Sequence, residues 1–272
     1  MLFPLLCTLV SAALGGAVLR LLWRQELKIG LEAALGLLLL CEPLCFMAMP
    51  GYPGLCPFSL ACLLTYCKLH VSGLLPVQEK TILIARCDSG FGHALAKHLN
   101  KLGFTVFAGV LYLDGPGAQD LQMCGSGRLT VLQLDVTNSE QIAQAFEQVK
   151  AQLKKSSLAE QPLGLWDIMN NARVLEIIAN GELLPTDVYK HCMEVNFIGA
   201  VEVTKIFLRL LRQAKGRLVN VTSIAGSTPL MGFAAYSASK AAFNMFSNIL
   251  RRELAVWGIK VIIIQPSGFR TG

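Results

Sequence analysis

The chain has 272 residues, enough for one large α/β domain and an additional segment. Its mean hydropathy of +0.51, with 53% of residues hydrophobic, is too apolar for an ordinary soluble domain. The formal charge of +6 is spread out, and no basic stripe is interleaved with aromatics, so nucleic acid is set aside and a membrane surface fits better.

The apolar excess sits at the front. Leu2 to Leu19 carries no charge and is closed by Arg20, Arg24 and Lys28. That length is marginal for a spanning helix. A second run, Ala33 to Met49, carries Glu42 and Pro43, and a third runs from Leu55 to Cys67. A cleaved leader would place its basic residues before the apolar run, whereas here they follow it. Residues 1–74 are therefore expected to anchor the chain in a membrane, with at least one true span and the Arg20–Lys28 loop in the cytosol. Six of the nine cysteines lie in this region, and no CxxC pair occurs anywhere, so neither a zinc site nor a redox dithiol is supported.

From Lys80 short apolar strands alternate with helices. The pattern predicts strands at Thr81–Ala85, Thr105–Val110, Leu129–Leu134, Leu165–Met169, Arg217–Val221 and Lys260–Ile264. It predicts helices at Gly90–Leu102, Ser139–Leu153 and Asp187–Arg212, and one through Tyr236. Gln152–Gly164 reads as an exposed connection. Repeated βα units with apolar strands imply a parallel sheet covered on both faces. That is the doubly wound, Rossmann-like arrangement, in which a dinucleotide crosses the carboxyl ends of the strands.

The first strand-to-helix turn reads ARCDSGFG, with Asp88, Ser89, Gly90, Phe91 and Gly92 opening the helix. A turn of this kind lets backbone N–H groups meet a pyrophosphate. A side chain at Arg86 would strain or block a tight turn there, or its charge could instead reach a phosphate. After the second strand, Asp114 is the candidate acceptor for an adenosine ribose; it could equally serve only to form the turn before Gly115. Asp135, after the third strand, could cap a helix, a role open also to Thr137 and Asn138. The fourth strand ends in Asn170-Asn171-Ala172-Arg173. Asn220-Val221-Thr222 fits a glycosylation pattern but falls in a strand expected to be buried. The fifth strand ends at Ser223, and a Gly-containing loop leads to Tyr236 and Lys240, which are four apart on one helical face. A free phenol is a poor base near neutral pH. A neighbouring ammonium favours the phenolate, and a drop of roughly 3 pKa units corresponds to about 4 kcal/mol. A phenol so tuned exchanges a proton with an alcohol or ketone.

These motifs resemble the short-chain dehydrogenase/reductase family from about Leu75 to Gly272. Ser223 and the Tyr236-x-x-x-Lys240 pair match its catalytic serine and YxxxK. Asn196 in MEVNFIG matches its catalytic asparagine. The resemblance implies that Asp88–Gly92, Asp114, Asp135, Asn171, Ala172, Pro266 and Thr271 line a nicotinamide cofactor, with Tyr236 and Lys240 also touching it. The acidic candidates, and the absence of Lys or Arg after the second strand, point to NAD. Among family members the text is most similar to hydroxysteroid dehydrogenases, with retinol dehydrogenases as near neighbours. It therefore implies NAD-dependent oxidation of a hydroxysteroid, or of a retinoid, at the endoplasmic reticulum membrane. Tyr236 would be the base, Ser223 would position the substrate hydroxyl, and Asn196 would support a proton path. The resemblance also implies pairing of two copies through the helices carrying Asn196 and Tyr236. Glycines of cofactor motifs are replaced at Arg86, Arg173 and Ser267, and the family's usual carboxyl-terminal substrate segment is absent. A membrane-bound relative without catalysis is the alternative expectation.

Overall fold

The computed structural model describes residue 77, residues 80–156 and residues 164–269. The apolar runs of the front third and Thr271 lie outside the described residues. Among the described residues no helix is long and apolar enough to cross a membrane.

Six parallel strands form one sheet: β1 (Thr81–Ile84), β2 (Thr105–Val110), β3 (Leu129–Gln133), β4 (Asp167–Asn170), β5 (Arg217–Val221) and β6 (Lys260–Ile264), in the order β3-β2-β1-β4-β5-β6. The helices are α1 (Gly90–Leu102), α2 (Pro116–Cys124), α3 (Ser139–Ser156), α4 (Thr186–Met193), α5 (Gly199–Ala214) and α6 (Ala234–Glu253). Successive strand residues face opposite sides of a sheet. Leu83 and Phe107 thus join Ile142, Ile168, Phe207 and Leu211 in one core. Ile82, Ile84, Val106 and Ala108 join Ala96 and Leu121 in the other. Every residue of β1 is buried, as a central parallel strand requires. The order reverses between β1 and β4, and their carboxyl ends therefore open a crevice at the switch point.

The predicted boundaries of α1, β2, β5 and β6 match the structure, and the other strands shift by one or two residues. Helix α2 was not anticipated. Gly115-Pro116-Gly117 reads as a loop, yet Pro116 at the first helical position loses no needed N–H. The predicted helix Asp187–Arg212 is three pieces: α4, a π-helical turn at Glu194–Ile198, and α5. Such a turn inserts a wider loop of backbone and re-aims a side chain, and here it carries Asn196.

Candidate active site

The phosphate-type turn after β1 is built by close backbone approach. A Cβ on Gly92 would stand 2.1 Å from the Arg86 carbonyl oxygen and 2.8 Å from Asn171 Nδ2. Asn171 Nδ2 donates to that same Arg86 oxygen at 3.0 Å, which ties the β4 end to the turn. Arg86 itself has φ +60°, the left-handed region that disfavours a Cβ. The strain anticipated at this position is therefore present. Ser89 stands exposed at the head of α1, and Gly90 follows with φ +64°. Phe91 packs edge-on against Phe269, with ring centroids 5.5 Å apart.

A cavity of about 320 Å³ lies across the strand ends, bounded by Arg86, Asp88, Tyr112, Asp135, Ala172 and Arg173. Asp114 is exposed and does not line it. Asp88 does line it, and its Oδ1 accepts from the Leu111 N–H at 2.8 Å, at the end of β2. Asp135 bounds the cavity and also accepts from the Thr137 N–H at 2.9 Å and its hydroxyl at 2.7 Å. The cap of α3 belongs to Asn138, which accepts from the Glu140 and Gln141 N–H groups.

The residues matched to the family's serine and YxxxK stand on α6 and at the end of β5. Tyr236 and Lys240 are both buried. Lys240 Nζ lies 5.8 Å from the centre of the Tyr236 ring and donates to the Val221 carbonyl at 3.1 Å. Two residues on, Ser223 Oγ accepts from the Ala225 N–H at 3.2 Å. The Ser223 hydroxyl also approaches the Pro266 carbonyl at 3.5 Å, a weak contact that brings the β6 end to the site. The loop after Ser223 presses on α6 so closely that a Cβ on Gly226 would meet the Lys240 carbonyl oxygen at 2.8 Å. Glycine at 226 therefore sets the approach of serine to lysine.

Asn196 is wholly buried in the π-helical turn. Its Oδ1 accepts from the Val174 N–H at 2.7 Å, and its Nδ2 donates to the Val174 carbonyl at 2.9 Å. Nδ2 also donates to Ser239 Oγ at 3.0 Å, whose hydroxyl donates to the Tyr236 carbonyl at 2.7 Å. Asn196 thus joins the loop after β4 to the turn of α6 that carries tyrosine and lysine. Asn220, the glycosylation candidate, is fully buried, with its oxygen accepting from Asn170 Nδ2 and its nitrogen donating to Ser247.

Burial pushes the Lys240 ammonium down to about 7, and repulsion from Arg173 and then Arg86 adds to it. Arg86 is lowered in turn by burial and by Arg173, with Asp88 opposing. Arg86 and Arg173 thus bound the groove, and both repel the Lys240 ammonium. The replacement of glycine by Arg173 was legible as a departure, but its proximity to Lys240 needed the fold.

The profile of the short chain dehydrogenase family matches residues 80–272. Rat estradiol 17-beta-dehydrogenase 2 is 47% identical over 268 residues, covering 98% of this chain and 68% of that protein. Human 17-beta-hydroxysteroid dehydrogenase type 2 is 51% identical over 227 residues, covering 84% of this chain but 57% of the human protein. An NADPH-bound carbonyl reductase from chicken fatty liver superposes with a TM-score of 0.64 at 25% identity, covering 71% of this chain and 81% of that one.

Proposed function

The chain belongs to the short-chain dehydrogenase family, and from that premise we propose that it oxidises a hydroxysteroid, transferring hydride to NAD. The observation that carries this is the burial of Lys240 beside the Tyr236 ring, in a fold whose strand ends open a cavity bounded by Arg86, Asp88 and Arg173. The residues present fit a nicotinamide dinucleotide. The turn at Gly92 leaves no room for a side chain, and Arg86 and Arg173 offer positive charge to a diphosphate. The Asp88 carboxylate at the Leu111 N–H supports NAD, since it would repel a 2′-phosphate. When bound, the cofactor supplies the hydride acceptor.

The protein's own groups do the rest. Tyr236 takes the proton of the substrate hydroxyl, and the Ser223 hydroxyl orients that oxygen. The Lys240 ammonium lies 5.8 Å from the centre of the Tyr236 ring and donates to the Val221 carbonyl. Anionic phosphates between Arg86 and Arg173 would relieve the repulsion on Lys240 and restore its charge when cofactor binds. Asn196 keeps α6 in register with the loop after β4. A steroid substrate is supported by the names of the rat and human relatives. The apolar front third is proposed to anchor the chain at the endoplasmic reticulum membrane, and two copies are proposed to pair.

The test is turnover of estradiol and of retinol with NAD and with NADP by full-length protein, alongside Tyr236→Phe. Reduction of NAD with estradiol, lost in Tyr236→Phe, is expected. Equal signals from the native protein and Tyr236→Phe would remove the dehydrogenase reading, and faster turnover of retinol would move the substrate class.

A further inference from the structure

Outside the groove, His93 on α1 is held between two acceptors. Its Nδ1 lies 3.0 Å from the Cys87 carbonyl oxygen, in the middle of the phosphate-type turn. Its Nε2 lies 2.6 Å from Asp120 Oδ2 on α2. A carbonyl oxygen donates nothing. The Asp120 carboxyl is held down to about 2 by Lys97, His93 and Cys124, so it too is an acceptor only. Both ring nitrogens can donate only in the imidazolium form. In either neutral tautomer one lone pair would face an oxygen, and one of the two contacts would open.

The surroundings support a built device. Lys97 Nζ donates to the same Asp120 Oδ2 at 2.9 Å, and the Cys124 thiol donates to Oδ1 at 3.3 Å. The His93 side chain is 19% exposed, so solvent is only partly available to replace a lost partner. The Cys87 N–H is bonded to Gly109 at 2.7 Å, and its neighbours Arg86 and Asp88 both bound the cofactor groove. The charged and titratable groups around the ring are thus Asp120 and Cys124 from α2, Lys97 from α1, and Cys87, Asp88 and Arg86 from the turn.

We propose that His93 is a positioning residue for cofactor, a doubly donating imidazolium that braces the phosphate-binding turn against α2 and makes cofactor affinity fall as pH rises. Nothing in the ring touches the reacting atoms. It acts through the Cys87 carbonyl and hence through the path of Arg86 and Asp88. This inference rests on the dehydrogenase reading for its ligand but not for its structural content.

The experiment uses full-length protein, with His93→Gln and Asp120→Asn. NADH binding is titrated from about pH 5.5 to about pH 8.5, the span over which an imidazole changes charge. The native protein should bind about tenfold more weakly at the top of that range, as expected for loss of one charged hydrogen bond. His93→Gln should bind more weakly and keep only the pH dependence that Lys240 gives, whereas Asp120→Asn, whose amide can donate to a neutral ring nitrogen, should bind about as tightly as the native protein at low pH and share that reduced dependence; kcat at saturating NAD stays within about twofold in both. Nitrogen-15 NMR of the His93 ring should show both nitrogens protonated at the low-pH end, and amide exchange at Cys87–Gly90 should quicken as that signal is lost. Circular dichroism melts check that both variants fold. A native binding profile no steeper than that of His93→Gln, or a ring with one protonated nitrogen at low pH, would overturn the proposal. Should the native protein bind no NADH at any pH, the dehydrogenase reading falls, and the ring and exchange measurements decide this one by themselves.

Discussion

Replacing Lys240 by methionine should stabilise the fold while abolishing dehydrogenase activity. The ammonium is 1% exposed and pushed down from its ordinary 10.5 to about 7, first by burial and then by Arg173 and Arg86. A lysine whose folded pKa is lowered contributes its full share above the unfolded pKa, and that share is lost as pH falls through the folded one. The penalty thus grows from about pH 10.5 down to about pH 7 and is complete below it. At 1.36 kcal/mol per unit the full shift corresponds to about 5 kcal/mol. Relaxation and penetrating water reduce such buried-charge penalties, here to about half. Methionine keeps the apolar stem but leaves the Val221 carbonyl without its 3.1 Å donor, which costs about 1 kcal/mol. The net expectation is a gain of about 1–2 kcal/mol at pH 6 that vanishes or reverses by about pH 10. Urea denaturation of both proteins at several pH values measures it, with steroid turnover in parallel. A methionine variant less stable than the native protein at pH 6, or a gap that does not shrink as pH rises, would refute the reasoning.

Three further outcomes are expected. Arg173→Gly removes the second cause of the depressed Lys240 pKa, so the lysine should titrate at a higher pH, read by NMR of labelled lysine. Asp167 is pushed up to about 6 by burial, with its Oδ2 paired to Arg217 at 2.8 Å and its Oδ1 without a partner. A carboxyl raised in the fold contributes stability below its unfolded pKa that is lost as pH rises through the folded one. The stability difference between native protein and Asp167→Asn should therefore fall by up to about 3 kcal/mol between about pH 4 and about pH 6, followed by urea titration. Asn196→Ala leaves both polar groups of Val174 without their present partner and should cost about 2–4 kcal/mol, measured by thermal unfolding, with a fall in kcat from the loosened Tyr236 turn.

The strands and the YxxxK pair were legible because both depend on local spacing. Apolar runs bounded by turn residues locate β1 through β6 to within a residue or two. Four residues put Tyr236 and Lys240 on one face whatever surrounds them. The interruption at Asn196 was not legible, since EVNFIG continues a helical pattern and nothing local distinguishes a wider turn. What holds it is the pairing of Asn196 with Val174, 22 residues away in sequence. Asp88 was placed on the turn from its spacing, but its bond to Leu111 depends on the pairing of β1 with β2. Long-range juxtaposition, which propensity does not encode, separates these two groups of residues.

The same distinction bears on the arginines. Read as a string, Arg86 and Arg173 are lost glycines and argue against a working cofactor groove. In the fold, Arg86 accepts a left-handed backbone, and its carbonyl still receives Asn171 beside a Gly92 that tolerates no Cβ. The turn's shape is kept at the cost of strain, typically about 1–2 kcal/mol for such a residue. What changes is charge: two guanidinium groups now line the groove, where they repel one another and the buried lysine. Such a groove should answer to ionic strength more steeply than one lined by glycine. Raising salt screens the attraction to a diphosphate, and Arg86→Gly combined with Arg173→Gly should flatten that dependence. If the double variant and the native protein lose NADH affinity equally between low and high salt, the guanidinium groups face away from the ligand. The glycine replacements would then be mere tolerated substitutions.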